Sequence, residues 1–136
     1  MNINQPIHLL RTTLWAAIGV SIFFWIGYED RTIIAPVLLG GFLALALASQ
    51  WGQRFLFRRA AWSRRQIAEY LLLGLSAGAL AMPMAALSML VKVSLHGHMP
   101  PDFSTADVLA VTGRTPIWAG AGALMGFAVA LFRWVG

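Results

Sequence analysis

Two histidines and an aspartate lie close together in the second half of the chain. His96 and His98 are separated by one residue, and Asp102 follows four residues later. Imidazole and carboxylate groups at this spacing can bind a divalent metal or respond to pH. No third or fourth ligand stands nearby, and the glycine and prolines between them favour a turn. We therefore expect turn or interfacial residues here first, and a metal site only as the less favoured alternative.

The rest of the sequence lacks the residue sets that catalysis needs. There are no cysteines, which excludes disulfides, thiolate metal sites and cysteine nucleophiles. Paired carboxylates, a Ser/His/Asp set and a phosphate-binding loop are also missing from the pattern. The sequence therefore predicts neither an enzyme nor a bound cofactor.

A basic segment at 52–66 interrupts the apolar sequence. It mixes tryptophan and phenylalanine with arginine, a composition that also occurs in nucleic-acid-binding proteins. Because apolar stretches flank it closely on both sides, we expect its rings to enter a lipid interface and its guanidinium groups to bind anionic headgroups, without nucleic acid. The predicted headgroup-binding residues are Arg54, Arg58, Arg59, Arg64 and Arg65.

Small residues recur four apart in two of the apolar stretches. This spacing lets helices approach closely in lipid, where van der Waals contact holds them together. Two interpretations are open: the two stretches pack against each other within one chain, or one stripe faces outward and binds another subunit. In the second case, replacing Gly78 or Gly122 by leucine would weaken assembly. The predicted packing residues are Gly74, Gly78, Ala81, Ala85, Gly122 and Gly126.

Composition indicates which medium surrounds these stretches. Of the 136 residues, 59% are hydrophobic and only 11% are charged, whereas soluble domains carry about 25% charged residues. Four apolar stretches, at 12–28, 33–51, 67–91 and 116–135, are each near the roughly 20 residues that cross a bilayer as a helix. The sequence predicts one all-α transmembrane domain over 1–136, with four spans arranged as two hairpins.

Charge counting predicts the orientation. Seven of the ten cations lie on one side of the predicted membrane: Arg11, Arg133 and the five arginines of the basic segment. Arg31, Lys92 and Arg114 lie on the other side. The richer side is expected to be cytoplasmic. Both termini are then cytoplasmic, in a bacterial inner membrane, and 92–115 forms an outer loop.

One further helix is predicted inside that outer loop. Ser104 and Asp107 have the spacing of a capping box, with aspartate in the usual glutamate position. The helix would run to about Gly113 and lie along the membrane surface before the fourth span.

Charged and histidine residues are missing from the middle of the predicted spans. Glu69 and Lys92 lie near opposite ends of the third span, where we expect water to reach them. Ion-coupled transporters usually keep an ionisable group inside the membrane. We therefore expect a non-catalytic accessory or scaffold subunit that packs into a larger membrane complex or a homo-oligomer. The alternative is a small oligomeric permease or channel, with an uncharged path lined by Ser76, Pro83, Ser88 and Thr112.

Overall fold

The computed structural model describes residues 4–27, 31–55, 64–96 and 101–135, all of whose regular secondary structure is α-helical. Five helices follow one another along the chain. Their bounds are α1 Asn4–Gly27, α2 Ile34–Phe55, α3 Arg64–His96, α4 Thr105–Thr112 and α5 Thr115–Val135. The all-helical class predicted from the sequence is therefore confirmed.

The helices α2 and α3 are longer than the apolar stretches that predicted them. The third stretch was predicted at 67–91, whereas α3 has 33 residues and begins at Arg64. Polar residues extend it because arginine, glutamine and glutamate are good helix formers. Arg65 and Glu69 also form an ion pair one turn apart, with 3.2 Å between Nε and Oε1. A count of apolar residues finds the membrane-length part of a helix and misses its polar ends.

The helix α3 is the centre of the fold. It packs most extensively against α5 and almost as extensively against α2, while α1 has a small contact with α2. Alanines and methionines of α3 fill the space between these helices, and Met82, Ala85 and Met89 are fully buried. The chain thus forms a layer with α2 and α5 packed against α3.

The short helix α4 has the predicted cap. The Ser104 side chain accepts a hydrogen bond from the Asp107 backbone N–H, and the Asp107 carboxylate accepts one from the Ser104 backbone N–H. The helix α4 packs against α3, and Val111 is fully buried. Val108 and Val111 are three residues apart and share one helix face, which explains this packing.

Three of the helices are long and apolar enough to cross a membrane. Within the described residues, the apolar segments are Ile34–Gly52, Arg65–His96 and Thr105–Trp134. The first helix contributes a shorter apolar segment, Trp15–Trp25. The last of the three long segments includes both α4 and α5, so the apolar sequence of α5 continues back through α4.

Candidate functional site

A buried cation lies near the end of α3. The Lys92 side chain has no solvent exposure, and its Nζ lies 4.7 Å from the ring centroid of Trp25 and 5.8 Å from that of Phe103. These two rings stack on each other with centroids 6.3 Å apart. Aromatic faces attract a cation through their quadrupole, and more strongly where water is excluded. The expectation that water reaches Lys92 is therefore wrong, because α1 and the segment before α4 cover it.

His96 and Asp102 meet beside this cation. The distance from His96 Nδ1 to Asp102 Oδ2 is 3.4 Å, and the Asp102 side chain is 1% exposed. The same ring nitrogen lies 3.2 Å from the backbone oxygen of Lys92. Because both neighbours are acceptors, we assign a hydrogen to Nδ1. The pair joins the end of α3 to the chain segment that leads into α4.

Two polar atoms of this Lys92 cluster (Trp25, Lys92, His96, Asp102 and Phe103) have no hydrogen-bond partner among the described residues. They are Trp25 Nε1, a donor, and Asp102 Oδ2, an acceptor whose 3.4 Å contact with His96 Nδ1 lacks hydrogen-bond geometry. Buried polar groups in proteins are usually hydrogen-bonded. The cluster thus combines a buried cation, a buried carboxylate and stacked rings.

Two of the three candidate metal ligands come together in the structure. His96 and Asp102 are in contact, whereas His98 lies outside the described residues. Within the described part of the chain, no group of three or more histidine, aspartate or glutamate side chains is placed to hold a metal ion. The pair alone is an incomplete ligand set, and its contact is explained by packing at the helix end.

A second polar cluster lies at the other end of α3. The Arg133 guanidinium donates to the Tyr70 hydroxyl and lies 5.9 Å from the Tyr70 ring centroid. The Arg65–Glu69 ion pair lies one turn away. Glu69 and Lys92 are 23 positions apart, which corresponds to about 35 Å along the helix axis. This length is close to the roughly 30 Å of bilayer hydrocarbon. The two polar clusters therefore lie at the two ends of a segment of α3 that is long enough to cross a membrane.

The glycines predicted to pack helices lie between α3 and α5 of the same chain. A Cβ added to Gly74 would lie 3.0 Å from the Gly126 Cα and closer still to the Gly122 carbonyl oxygen. A Cβ on Gly78 would lie 3.0 Å from the Cα of Ala119, and one on Gly126 would lie 3.3 Å from the Gly74 Cα. Only glycine allows backbones to come this close. Of the two interpretations left open by the sequence, this arrangement matches packing within one chain.

The two alanines of the predicted stripe face a different helix. Ala81 and Ala85 are 3% and 0% exposed. A Cβ on Gly40 of α2 would lie 2.8 Å from the Ala85 Cα and closer to the Ala81 carbonyl oxygen. The small residues of α3 are thus divided, with the glycines against α5 and the alanines against α2. The role of Gly40 was not predictable from its own neighbours in the sequence, because Ala81 and Ala85 lie in a distant part of the chain.

The predicted headgroup residues are only partly within the described part of the chain. Arg58 and Arg59 lie outside the described residues. Arg54 and Arg64 belong to the ends of α2 and α3, but their side chains are not described. The Arg65 side chain is 75% exposed and pairs with Glu69. Its exposure leaves Arg65 accessible to a lipid headgroup.

The residues suggested to line a polar path have hydroxyls that bond to their own helices. Ser76 donates to the Leu72 carbonyl at 2.8 Å, and Ser88 donates to the Ala85 carbonyl at 2.7 Å. Thr112 donates to carbonyls within α4. Pro83 is exposed on α3. Such bonds satisfy the hydroxyls locally, so they give no independent support to a shared path.

Comparisons with known proteins found no match: no family model, no curated protein and no solved structure matches this chain.

Proposed function

We propose that this chain is a non-catalytic subunit of a bacterial inner membrane that packs into a larger membrane complex or a homo-oligomer. In this proposal it crosses the membrane four times with both termini in the cytoplasm. The arginine-rich segment 52–66 then lies at the inner leaflet, where anionic lipids attract it. No nucleic acid or cofactor is involved.

The observation that carries the proposal is the two-sided character of α5. Its face toward α3 consists of small residues, including Gly122, Gly126 and the fully buried Ala130. The rest of α5 is largely exposed, with Ile117, Leu124 and Phe132 at 73%, 71% and 81% exposure. An apolar stripe with alternating spacings of three and four lies on the uncovered side: Ile117, Gly120, Leu124, Phe127 and Leu131.

This stripe has the spacing with which one helix packs against another. Positions three and four apart lie on one helix face, as in helix pairs of bundles. Gly120 adds a notch, since a Cβ placed there would meet nothing within 4 Å. A membrane helix of a partner could pack closely against α5 at this notch. The partner-binding face is therefore assigned to the side of α5 that faces away from α3, because the glycines first predicted for it already pack against α3.

A site-specific photocrosslinking experiment tests this assignment in native membranes. A photoreactive benzoylphenylalanine replaces Leu124 on the outer α5 face, and a matched variant carries it at Leu72, which is also exposed but lies on α3. The proposal predicts a protein adduct at Leu124 and much less at Leu72. An adduct near twice 14.8 kDa indicates a homo-oligomer, and other masses indicate a different subunit.

A second substitution and a flux assay complete the test. Gly120→Leu should lower the yield of the Leu124 adduct, because it fills the notch without touching α3. A lone monomer that forms only lipid adducts at Leu124 would overturn the assignment. Solute or ion flux through vesicles that contain only this protein would instead favour the permease or channel.

A further inference from the structure

A histidine and a buried carboxylate meet where the last turn of α3 contacts the segment that leads into α4. The His96 side chain is 20% exposed and the Asp102 side chain is 1% exposed. The imidazole ring can therefore exchange a proton with water, whereas the carboxylate is shielded from it. Ionisable groups buried in a membrane protein are usually functional.

A second proton on the ring changes the character of this contact. The neutral ring holds Asp102 weakly, because the 3.4 Å contact lacks hydrogen-bond geometry. Attraction between two full charges depends on their distance, and it is stronger where water is excluded. A cationic His96 and an ionised Asp102 therefore form an ion pair at the distance that already separates them.

The contact holds a cover over the end of α3. Phe103 follows Asp102 and is 4% exposed, and its ring lies 5.8 Å from Lys92 Nζ. Val111 of α4 belongs to the same buried cluster as Phe103 and Met89 of α3. A tighter contact between His96 and Asp102 therefore fixes the segment 101–104, and α4 behind it, more firmly on α3.

Other charged groups near the pair are placed differently. The Lys92 ammonium group, one turn before His96, lies over the rings of Trp25 and Phe103. The Asp107 carboxylate of α4 accepts hydrogen bonds from Ser104 at the helix cap, and α1 contributes the uncharged Trp25. Two arginines on the neighbouring elements are exposed, Arg31 before α2 and Arg114 after α4. Three further ionisable residues lie outside the described residues: Glu29, Asp30 and His98.

A proton bound here has no continuation through the described helices. Between Tyr70 and Lys92, α3 contains no charged or histidine residue, and 34–53 of α2 and 115–132 of α5 contain none either. Proton relays in membranes use a chain of ionisable side chains. Uptake of a proton by His96 therefore changes local contacts, and the proton is not passed along these helices.

We propose that His96 is a pH sensor whose protonated ring pairs with Asp102 and clips the segment 101–104 and α4 to the end of α3. The clip tightens as the pH falls through the range in which histidine takes up a proton, while Asp102 stays ionised, and it loosens as the pH rises. This device goes beyond the subunit role proposed above. It uses neither the partner face on α5 nor the orientation of the chain.

The test measures how often α4 opens, with the full chain in lipid nanodiscs. Because the chain has no cysteine, Val111→Cys introduces a single thiol at a buried position, and Leu109→Cys introduces one on the same helix where the native side chain is 68% exposed. Each thiol reacts with a polar methanethiosulfonate reagent at about pH 5.5 and at about pH 8, on either side of histidine protonation. Dividing the rate at position 111 by the rate at position 109 removes the pH dependence of the thiol chemistry itself.

The proposal predicts that this ratio is about fivefold higher at the higher pH, the effect of one ion pair. His96→Gln and Asp102→Asn should each make the ratio independent of pH, because each removes one member of the pair. His98→Gln is the matched control and should leave the pH dependence intact. A wild-type ratio that is constant, or that rises as the pH falls, overturns the proposal.

The variants also separate a sensor from a purely structural contact. If His96→Gln raises the ratio equally at both pH values and the pH dependence persists, His96 only packs and the proposal is wrong. If Lys92→Met, Glu29→Gln or Asp30→Asn removes the dependence while His96→Gln retains it, another group is the sensor and the assignment to His96 is overturned. None of these rates involves the Leu124 adduct, so failure of the partner proposal is distinguishable from failure of this one.

Discussion

Adding one methyl group to Gly122 should change the stability of the fold very differently from adding one to Gly120, although both glycines lie in α5. The variants are Gly122→Ala and Gly120→Ala, two residues apart in one helix. A Cβ on Gly122 would lie 3.0 Å from the Gly78 backbone nitrogen and closer to the Gly74 carbonyl oxygen. A Cβ on Gly120 would meet nothing within 4 Å. Gly122→Ala must therefore push α5 away from α3, whereas Gly120→Ala needs no movement.

The expected size of the effect follows from this contrast. Overpacking a close interface costs about 1–3 kcal/mol. Separating two surfaces by 0.5–1 Å already loses about a quarter to a half of the dispersion energy of each atom pair. Alanine in a helix gains about 0.5–1 kcal/mol over glycine, but both variants share this gain. The difference between them is therefore about 1–3 kcal/mol, with Gly122→Ala the less stable.

Reversible unfolding in mixed micelles, with increasing mole fraction of dodecyl sulfate, measures this difference directly. Helix content by circular dichroism and the intrinsic tryptophan fluorescence give two independent probes of the transition. Gly120→Ala should unfold at or above the wild-type midpoint and Gly122→Ala clearly below it. Equal midpoints for the two variants would refute the close backbone contact between α3 and α5.

Three further predictions follow from other contacts. Gly40→Ala should destabilise the chain by about 1–3 kcal/mol relative to Gly41→Ala in the same unfolding assay, because only the Gly40 Cβ would meet α3; equal midpoints would count against the α2–α3 contact. Lys92→Ala should be less stable than Lys92→Met by about 2–5 kcal/mol, because only alanine leaves a cavity where the buried stem of Lys92 packs; equal stability of the two variants would contradict the burial of this stem. Ser104→Ala should cost about 1 kcal/mol through loss of the helix cap, seen as faster hydrogen exchange of the first α4 amides, and unchanged exchange would contradict the capping role.

The sequence predicted the helical elements well because their signals are local. Apolar length located α2, α3 and α5, and the spacing of Ser104 and Asp107 located α4. The ends of the helices were less accurate, since polar helix formers such as Arg65 extend α3 past its apolar part. Local patterns therefore predict which elements exist better than where they end.

The Lys92 cluster could not be predicted, because its residues come from distant parts of the chain. Lys92 looked accessible when only its neighbours in sequence were considered. Its burial depends on Trp25 from α1 and Phe103 from the segment before α4. In the same way, the glycine spacing indicated close helix contact but not its partner, which depends on how α5 returns along α3. Tertiary contacts decide both questions.

Cysteine labelling of α3 in intact cells tests the central claim, that α3 crosses a bacterial inner membrane with its Arg65 end in the cytoplasm. The chain has no natural cysteine, so Arg65→Cys and Ser94→Cys each introduce a single thiol, at exposed positions about 43 Å apart along the helix. A maleimide reagent that crosses the outer but not the inner membrane should label the thiol at position 94 in intact cells, and the thiol at position 65 only after the inner membrane is opened. Labelling of both thiols in intact cells, or recovery of the protein in the supernatant without detergent, would contradict the account.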